Sequence, residues 1–460
     1  MRQLIRRFIT LTASLFLVAS VYAQVTTSSM SGVVVDSKGP IPGASVIATH
    51  EPSGTSYGTM TNENGRYSLN GMRIGGPYKI EVVLMGYGDN TISGITLNLG
   101  ENHVRNFELK EEAMTLDEVV VSAVRTRFSN EKTGASTNIN NSQMTSIPTI
   151  NRSISDIAKM SPYASGMNLA GGDGRMTNFT VDGSNFNNNF GLSSTLPGGG
   201  NPISLDAIEE VQVVIAPFDV RQTNFIGGGI NAITKSGTNK LKGSAYLYYN
   251  NQDMRGNRIG DNDFGVRPKA SRTIYGATLG GPIIKNKLFF FANVEYEKKP
   301  GQVVTWRPSE NGVMDLNNSL SRTSIADMER VRQHLINNYG YDPGSYTNYP
   351  GDESNFKILA RVDWNINKKH KMSLRYNYTK NEAWNGTNGN STDGGFRNSN
   401  MNRISQYGMA FSGSMYSMDN VVNSFSGELN SRFSNKIANQ LLVTYTKIND
   451  VRGADRKSVV

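Results

Sequence analysis

Gly54-Thr55-Ser56-Tyr57-Gly58 matches the spacing G-x-S-x-G, in which a serine on a sharp strand-to-helix turn is presented for nucleophilic attack. That chemistry needs a strand before the serine, a helix after it, and a histidine and an acid brought in by the fold. Here the five residues lie among alternating β-type segments and lead into a hairpin signal, so the match is read as accidental. The histidines, His50, His103, His334 and His370, are scattered, and none begins an H-E-x-x-H zinc motif. Cysteine is absent, which removes thiolate chemistry and disulfide staples together. "GGDGR" (Gly171 to Arg175) and the asparagines between Asn185 and Asn189 carry oxygens that could hold a cation, but flexible loops are the simpler reading. No phosphate-binding or dinucleotide fingerprint occurs. The chain is therefore read as no enzyme, with no catalytic residue, no metal site and no cofactor.

A different chemistry is available to "LDEVVVSA", Leu116 to Ala123, where three consecutive valines follow the acidic lead-in "KEEAMTLDE". β-Branched side chains are already restricted in an extended backbone, and an exposed strand can add itself to the sheet edge of another protein through main-chain hydrogen bonds. The competing reading makes this segment the last strand of the domain before it.

The start of the chain sets the compartment. Arg2, Arg6 and Arg7 precede an apolar run from Phe8 to Val21, and Val21-Tyr22-Ala23 supplies a cleavage site, so residues 1–23 are read as an export signal. A membrane anchor would need a longer apolar run, about 20 residues. Removing the three arginines lowers the formal charge from +9 to +6, spread along the chain, which gives no reason to expect nucleic acid as a partner. Only 37% of residues are hydrophobic, as expected of an exported protein that is soluble or whose spanning strands hide their apolar side chains by alternation.

The elements follow from periodicity. Ser31 to Leu109 has turn residues about every ten positions and reads as a small all-β domain, with Asn64-Gly65 as a hairpin turn. Between residues 136 and 240, short helical patches alternate with Gly-rich loops and strands. Ser204 is expected to cap a short helix ending near Glu210, and Gly227, Gly228 and Gly229 to allow tight turns before "INAITKSG". From Leu241 the period becomes two: Phe356, Ile358, Ala360, Val362, Trp364 and Ile366 alternate with Lys357, Leu359, Arg361, Asp363, Asn365 and Asn367. Each such segment runs about 10 residues, the length of a tilted strand crossing a bilayer. Tyr248, Tyr249, Tyr296, Trp364 and Tyr378 fall toward strand ends, where interfacial aromatic girdles sit. Tight turns at Lys285-Asn286, Lys368-Lys369 and Ser434-Asn435 alternate with long connections at 251–272, 299–354 and 382–420. Short turns on one side and long loops on the other is the asymmetry of outer-membrane barrels. Ile404 to Met415 also alternates but would place two short turns in a row, so it is assigned to the loop. "SIADMERVRQHLINNYG" is expected to be an amphipathic surface helix.

Two sets of motifs carry a resemblance. "PIPGASV" with "ENGRYSL" is similar to carboxypeptidase-regulatory-like, transthyretin-type sandwiches. "LDEVVVSA", "VDG" and "IEEVQVVIAPFDVRQTNFIGGGINAITKSGTN" resemble TonB-dependent outer-membrane receptors, in particular the Oar-like branch of Bacteroidetes receptors that begin with such a domain. Ala216-Pro217 and "FDVRQTNF" depart from the "GP" version of the plug motif, which leaves the substrate open.

The resemblance implies a mainly β chain: an N-terminal β-sandwich (24–112), a Ton box linker (113–123), an α/β plug domain (124–240) and the first strands of an antiparallel transmembrane β-barrel (241–460, incomplete). It makes Leu116, Asp117, Glu118, Val119, Val120, Val121, Ser122 and Ala123 the TonB-binding strand, and Val181, Asp182, Gly183, Gly227, Gly228, Gly229 and Asn231 the plug motif. The implied partners are TonB with its inner-membrane energising complex, outer-membrane lipid, an unidentified extracellular ligand and, in that branch, a surface lipoprotein. The implied place is the outer membrane, with the N-terminal domain in the periplasm. Transport driven by plug displacement is the leading function, and surface adhesion without energised transport the alternative. Seven strands against the about twenty-two of such transporters suggest an N-terminal fragment.

Overall fold

The computed structural model describes residues 25–111, 121–122, 135–149, 151–188, 195–215, 222, 226–263, 270–301, 306–385 and 404–453. The export signal, Leu116 to Val120, Ala123 and the "APFDVR" stretch lie outside the described residues.

The N-terminal unit is a β-sandwich. Its strands are β1 (Ser28–Asp36), β2 (Ser45–His50), β3 (Thr55–Met60), β4 (Arg66–Met72), β5 (Gly75–Val83) and β6 (Asn90–Leu97). One sheet is built on β1, which takes β4 on one side and three short strands along its length; the other runs β3-β2-β5-β6. Alternate residues such as Met30, Val34, Val46, Leu69, Tyr78 and Ile80 close the core between the sheets. The hairpin expected at Asn64-Gly65 is not formed, because β3 and β4 belong to different sheets. The turn passes the chain from one sheet to the other. Asn62 Oδ1 accepts from the backbone N–H of Asn64 and Arg66, and Gly65 at φ 67° lies so close to the Val34 carbonyl that a side chain would collide. The turn chemistry was present in the sequence; the strand pairing was not. Val121–Ser122 runs parallel to Ile92 and Ser93 on β6, so these two residues extend the sandwich sheet.

The second unit has four principal strands: β7 (Ala135–Asn140), β8 (Asn178–Val181), β9 (Ile208–Ile215) and β10 (Gly228–Thr234), in the order β7-β9-β10-β8 with Ser184–Asn185 outside β8. Two short helices, α1 (Asn141–Ser146) and α2 (Ile154–Ala158), start at side-chain caps on Asn140 and Ser153. The helix expected between Ser204 and Glu210 shrinks to one 3-10 turn, Leu205–Ala207, after which β9 begins at Ile208 and takes Glu209 and Glu210. The β-branched and apolar run that follows outweighs helix propagation from a single cap. Likewise only Gly227, at φ 110°, serves the turn; Gly228 and Gly229 are already in β10, every residue of which is buried.

The third unit is a seven-stranded antiparallel sheet in sequential order: β11 (Lys242–Asn251), β12 (Ser271–Ile284), β13 (Leu288–Lys299), β14 (Glu353–Asn365), β15 (His370–Asn385), β16 (Tyr416–Arg432) and β17 (Ala438–Gly453). Its alternation is inverted relative to a water-soluble sheet. On β14, Asn355, Lys357, Leu359, Arg361 and Asp363 are buried against the second unit, whereas Ile358, Val362 and Trp364 are 36%, 36% and 42% exposed on the outside. On β13, Asn293, Glu295 and Glu297 point inward and Val294 and Tyr296 outward. Packed against a second sheet in water, the burial would be reversed. The long connection after β13 carries α3 (Ile325–Tyr339), capped by Ser324 and ended by Gly340 in the left-handed region. The 404–415 segment stays in the loop, with an isolated bridge Ser405–Gly408 and one turn at Ser412–Ser414.

Candidate functional site

The second unit lies against the inner face of the wall, and the two are joined mainly by buried polar groups. Asp182 is the centre of this seam. It sits in the tight turn after β8 with φ 48°, followed by Gly183 at 78°, a conformation Asp tolerates better than most residues. Its carboxylate accepts from Thr234 N–H at 3.1 Å and Thr234 Oγ1 at 2.7 Å, tying the turn to the end of β10. From the wall, Arg375 Nε approaches Asp182 Oδ1 to 3.5 Å and Arg361 Nη1 to 3.8 Å.

These arginines are part of a longer chain of charge. Arg361 Nη1 donates to the Thr234 carbonyl at 2.7 Å, and the guanidinium forks onto Asp363 at 2.9 and 3.0 Å. Arg375 donates to Glu428 at 2.9 Å, whose other oxygen accepts from Asn430 and Gln440. Arg73, from the sandwich, donates to Asp363 at 3.2 Å and to the Gly237 carbonyl at 3.3 Å. Three arginines from the sandwich and wall thus balance Asp182, Asp363 and Glu428. Burying so much charge is tolerable only because every group has an opposite charge beside it; Arg375 is the least satisfied, its Nε and Nη1 making no hydrogen bond among the described residues.

A second seam lies further along the wall. Lys357 Nζ is 2.8 Å from Glu295, whose other oxygen accepts from Ser204 Oγ at 2.6 Å and Tyr246 OH at 2.9 Å. Thr379 and Asn377 donate to the Pro202 carbonyl, and Asn355 to Gly198. Among the described residues, apolar contact across the boundary comes from Phe291, Leu359 and Val422 of the wall, which join the core of the second unit, with Ile448 packed against it.

The sandwich closes the short-turn end. Leu99 N–H donates to Glu210 Oε1 at 2.9 Å, and Gln212 Nε2 to the Leu99 carbonyl at 2.6 Å. Asn138 Nδ2 also donates to Glu210, at 2.6 Å. Burial pushes the Glu210 carboxyl up to about 7, against these two hydrogen bonds, which favour the anion. Arg432 reaches Gly58 and Thr59, Asn365 reaches Thr55 at 2.9 Å, and the Lys371 ammonium lies 4.3 Å from the Tyr57 ring centroid. Where the three units meet they leave a cleft of about 460 Å³ lined by Arg73, Glu209, Lys235, Asp363 and Arg375 among others.

The residues expected from the sequence separate accordingly. Val181, Asp182, Gly183, Gly228, Gly229 and Asn231 converge on the β8–β10 edge, where Thr180 Oγ1 donates to Asn231 Oδ1 at 2.8 Å and Asn231 Nδ2 donates to Gln212. Ser56 of the G-x-S-x-G match lies on β3 and shares a 3.1 Å hydrogen bond with Thr49, with a crossover turn and no helix after it. Asp173 is paired with Arg175, and Asn187 accepts from Phe179 N–H while donating to Asn178. Among the described residues, no three metal-ligating side chains converge. Arg73, Arg361, Asp363, Arg375, Glu428 and Glu210 were missed; the available signal was that alternating strands of the wall carry charge on the face away from their apolar residues.

With the geometry in view, two family descriptions match the chain: a carboxypeptidase regulatory-like domain over residues 29–110 and an outer membrane beta barrel domain over 233–456. Together with the inverted alternation of the wall, these matches decide the assignment. The chain belongs to the TonB-dependent outer-membrane receptors that carry an N-terminal carboxypeptidase regulatory-like domain. The receptor is 24% identical over 388 residues to the TonB-dependent transporter Oar of Myxococcus xanthus, a match covering 80% of this chain and 34% of that protein. It also resembles the siderophore receptor PirA of Pseudomonas aeruginosa (13% identity, TM-score 0.42, 69% of this chain and 41% of that one). The outer membrane transporter YddB of Escherichia coli is similar to the same degree (13% identity, TM-score 0.45, 68% and 39%). The receptor spans about a third of the length of the curated relative it matches. It is an outer-membrane protein, and no described helix is long and apolar enough to cross a membrane.

Proposed function

We propose that the receptor binds an extracellular ligand and moves it across the outer membrane by TonB-driven displacement of its second unit, which acts as a plug within residues 124–240. The observation that carries this reading is the seam at Asp182. A lumen-filling unit held by paired charges and hydrogen bonds can exchange those partners for water as it moves, whereas a continuous apolar seam would lose its whole burial energy. The Gly- and Asn-rich composition of the unit suits local opening.

In this reading Leu116 to Ala123 is the Ton box. TonB, coupled to its inner-membrane energising complex, pairs with the strand in the periplasm and pulls, and the sandwich sits on the same side. The long connections face outward and meet the ligand. One of them is organised by α3, and Tyr349, Ile404 and Met415 form a small core with Trp306 and Trp384 packed on it. A surface lipoprotein would dock over the same face.

The test is Val120→Pro, which removes a main-chain donor from the pairing strand. Ligand binding to whole cells should persist while accumulation in the periplasm is lost. Uptake at the parent rate would remove the energised step and leave the receptor a surface-binding protein.

A further inference from the structure

The three short turns of the wall share a composition that the transport reading does not use. They read Lys285-Asn286-Lys287, Asn367-Lys368-Lys369 and Ser434-Asn435-Lys436, with five lysines, no acid, and every one of these residues exposed. At the opposite rim several basic side chains are matched: Lys299 with Glu297 and Glu353, Lys380 with Glu382, Arg272 with Glu297. Among the described residues the five turn lysines have no such carboxylate partner.

Their neighbours are apolar and face outward. Ile283 and Ile284 are 57% and 51% exposed beside the first turn, Trp364 is 42% exposed before the second, and Phe433 and Ile437 are 57% and 59% exposed around the third. An ammonium next to an apolar side chain on the outside of a membrane wall is the arrangement in which a lysine stem lies along hydrocarbon while its head reaches the polar boundary. Two of the turns also border a cleft of about 420 Å³ between the wall and the sandwich, whose lining includes Lys368, Lys369, Lys371, Arg432 and Lys436 against one acid, Glu101.

We propose that this rim binds the anionic headgroups of phospholipids in the adjacent leaflet, phosphatidylglycerol in particular, with one headgroup seated in the cleft. The charge is complementary to a phosphodiester, and juxtamembrane lysines are attracted to anionic lipid surfaces. The apolar collar says what the lysines meet: a soluble anionic partner would have no use for Ile284, Phe433 and Ile437 beside each cation. The proposal rests on the reading that the short turns face the periplasm, where the leaflet is phospholipid. Its consequence is positional. The lipid contacts would hold this rim fixed while force is applied to the plug beside it.

Trp364 provides the probe, because it is the tryptophan at this rim. Full-length receptor and its Trp364→Phe variant are reconstituted in phosphatidylcholine bilayers containing equal mole fractions of brominated phosphatidylglycerol or brominated phosphatidylcholine, and the difference between the two proteins isolates the Trp364 signal. Brominated phosphatidylglycerol should quench that signal about twofold more than brominated phosphatidylcholine, the enrichment expected of lysines near a charged surface. The excess should vanish at an ionic strength of about 1 M, where the screening length falls to about 3 Å. It should also vanish in the variant combining Lys285→Gln, Lys287→Gln, Lys368→Gln, Lys369→Gln and Lys436→Gln, with folding of that variant verified by heat-modifiable mobility. Equal quenching by both lipids in the parent overturns the proposal. Loss of the excess on adding inorganic phosphate at constant ionic strength assigns the site to the free anion and also overturns it. If the variant loses uptake but keeps the excess, the lysines serve a periplasmic macromolecule and the lipid assignment fails. Val120→Pro should leave the quenching ratio unchanged, so the transport reading and this one fail separately.

Discussion

Asp182 and Arg375 face each other across the boundary between the second unit and the wall, with Arg375 Nε 3.5 Å from Asp182 Oδ1 and both side chains almost completely buried. Asp182 also orders the end of β10 through Thr234, so a single carboxylate both shapes its own turn and anchors the unit to the wall. Substituting Asp182→Asn keeps the positive-φ conformation accessible but leaves two buried arginines short of a counter-charge. Removing one partner of a buried pair costs about 3 to 5 kcal/mol, and the remaining partners Asp363 and Glu428 should hold the loss at the low end of that range. The variant should insert normally yet admit large antibiotics through the outer membrane. Arg375→Met combined with Asp182→Asn should cost less than the sum of the two single changes, as measured by chemical unfolding of both singles and the double.

The joint between the sandwich and the second unit should respond to pH through Glu210. Its carboxyl is raised from 4.5 to about 7, so the docked state holds a proton that the undocked state releases between those values. Docking is therefore strongest below about 4.5, weakens as pH rises through that window and levels off above about 7. The full shift corresponds to roughly 3 kcal/mol at 1.36 kcal/mol per unit. Protease access to the joint, followed between pH 5 and pH 8, should rise with pH in the parent. Glu210→Gln keeps an acceptor for Leu99 N–H without the charge and should flatten the profile at the protected level. A profile equally steep in Glu210→Gln would assign the effect to another group.

Much of this architecture was readable in the sequence because the wall strands obey a strict period of two. Ile358, Val362 and Trp364 against Lys357, Arg361 and Asp363 identify both the strand and its two environments, and the lengths of the connections give the polarity of the sheet. The sandwich was readable as a class but not in its pairing, since Asn64-Gly65 specifies a turn and not which sheet the next strand joins. The β9 start at Ile208 was hidden because Ser204 caps a 3-10 turn as well as it caps a helix. The charged seam was the least accessible part. That Arg73 should meet Asp363, 290 residues later, depends on how the sandwich seats on the wall, and no local pattern contains it.

Ser56 provides a negative prediction. Its hydroxyl is shared with Thr49 on an exposed face of the sandwich. Ser56→Ala should change stability by less than about 0.5 kcal/mol, as for most surface substitutions. A fluorophosphonate probe, which phosphonylates activated serines with loss of fluoride, should label neither protein. Labelling of the parent that disappears in the variant would establish a nucleophile here and reopen the hydrolase reading.

The inverted alternation of the wall can be tested at Ile358, which lies near the middle of β14, pairs with Val294 and Tyr378 on its two sides, and is 36% exposed on the outer face. In a soluble sheet a side chain this accessible would tolerate arginine with little loss. On a wall facing hydrocarbon, Ile358→Arg near the bilayer midplane should cost about 2 to 4 kcal/mol. Ile358→Phe, which keeps the surface apolar, should cost little. The measurement is the fraction of heat-modifiable receptor that forms in phospholipid vesicles across a urea series, with Ile358→Arg shifted to lower urea and Ile358→Phe close to the parent. Folding of Ile358→Arg in aqueous buffer without lipid, at the parent's stability, would mean that these apolar rows face water and would remove the basis for a membrane-spanning wall.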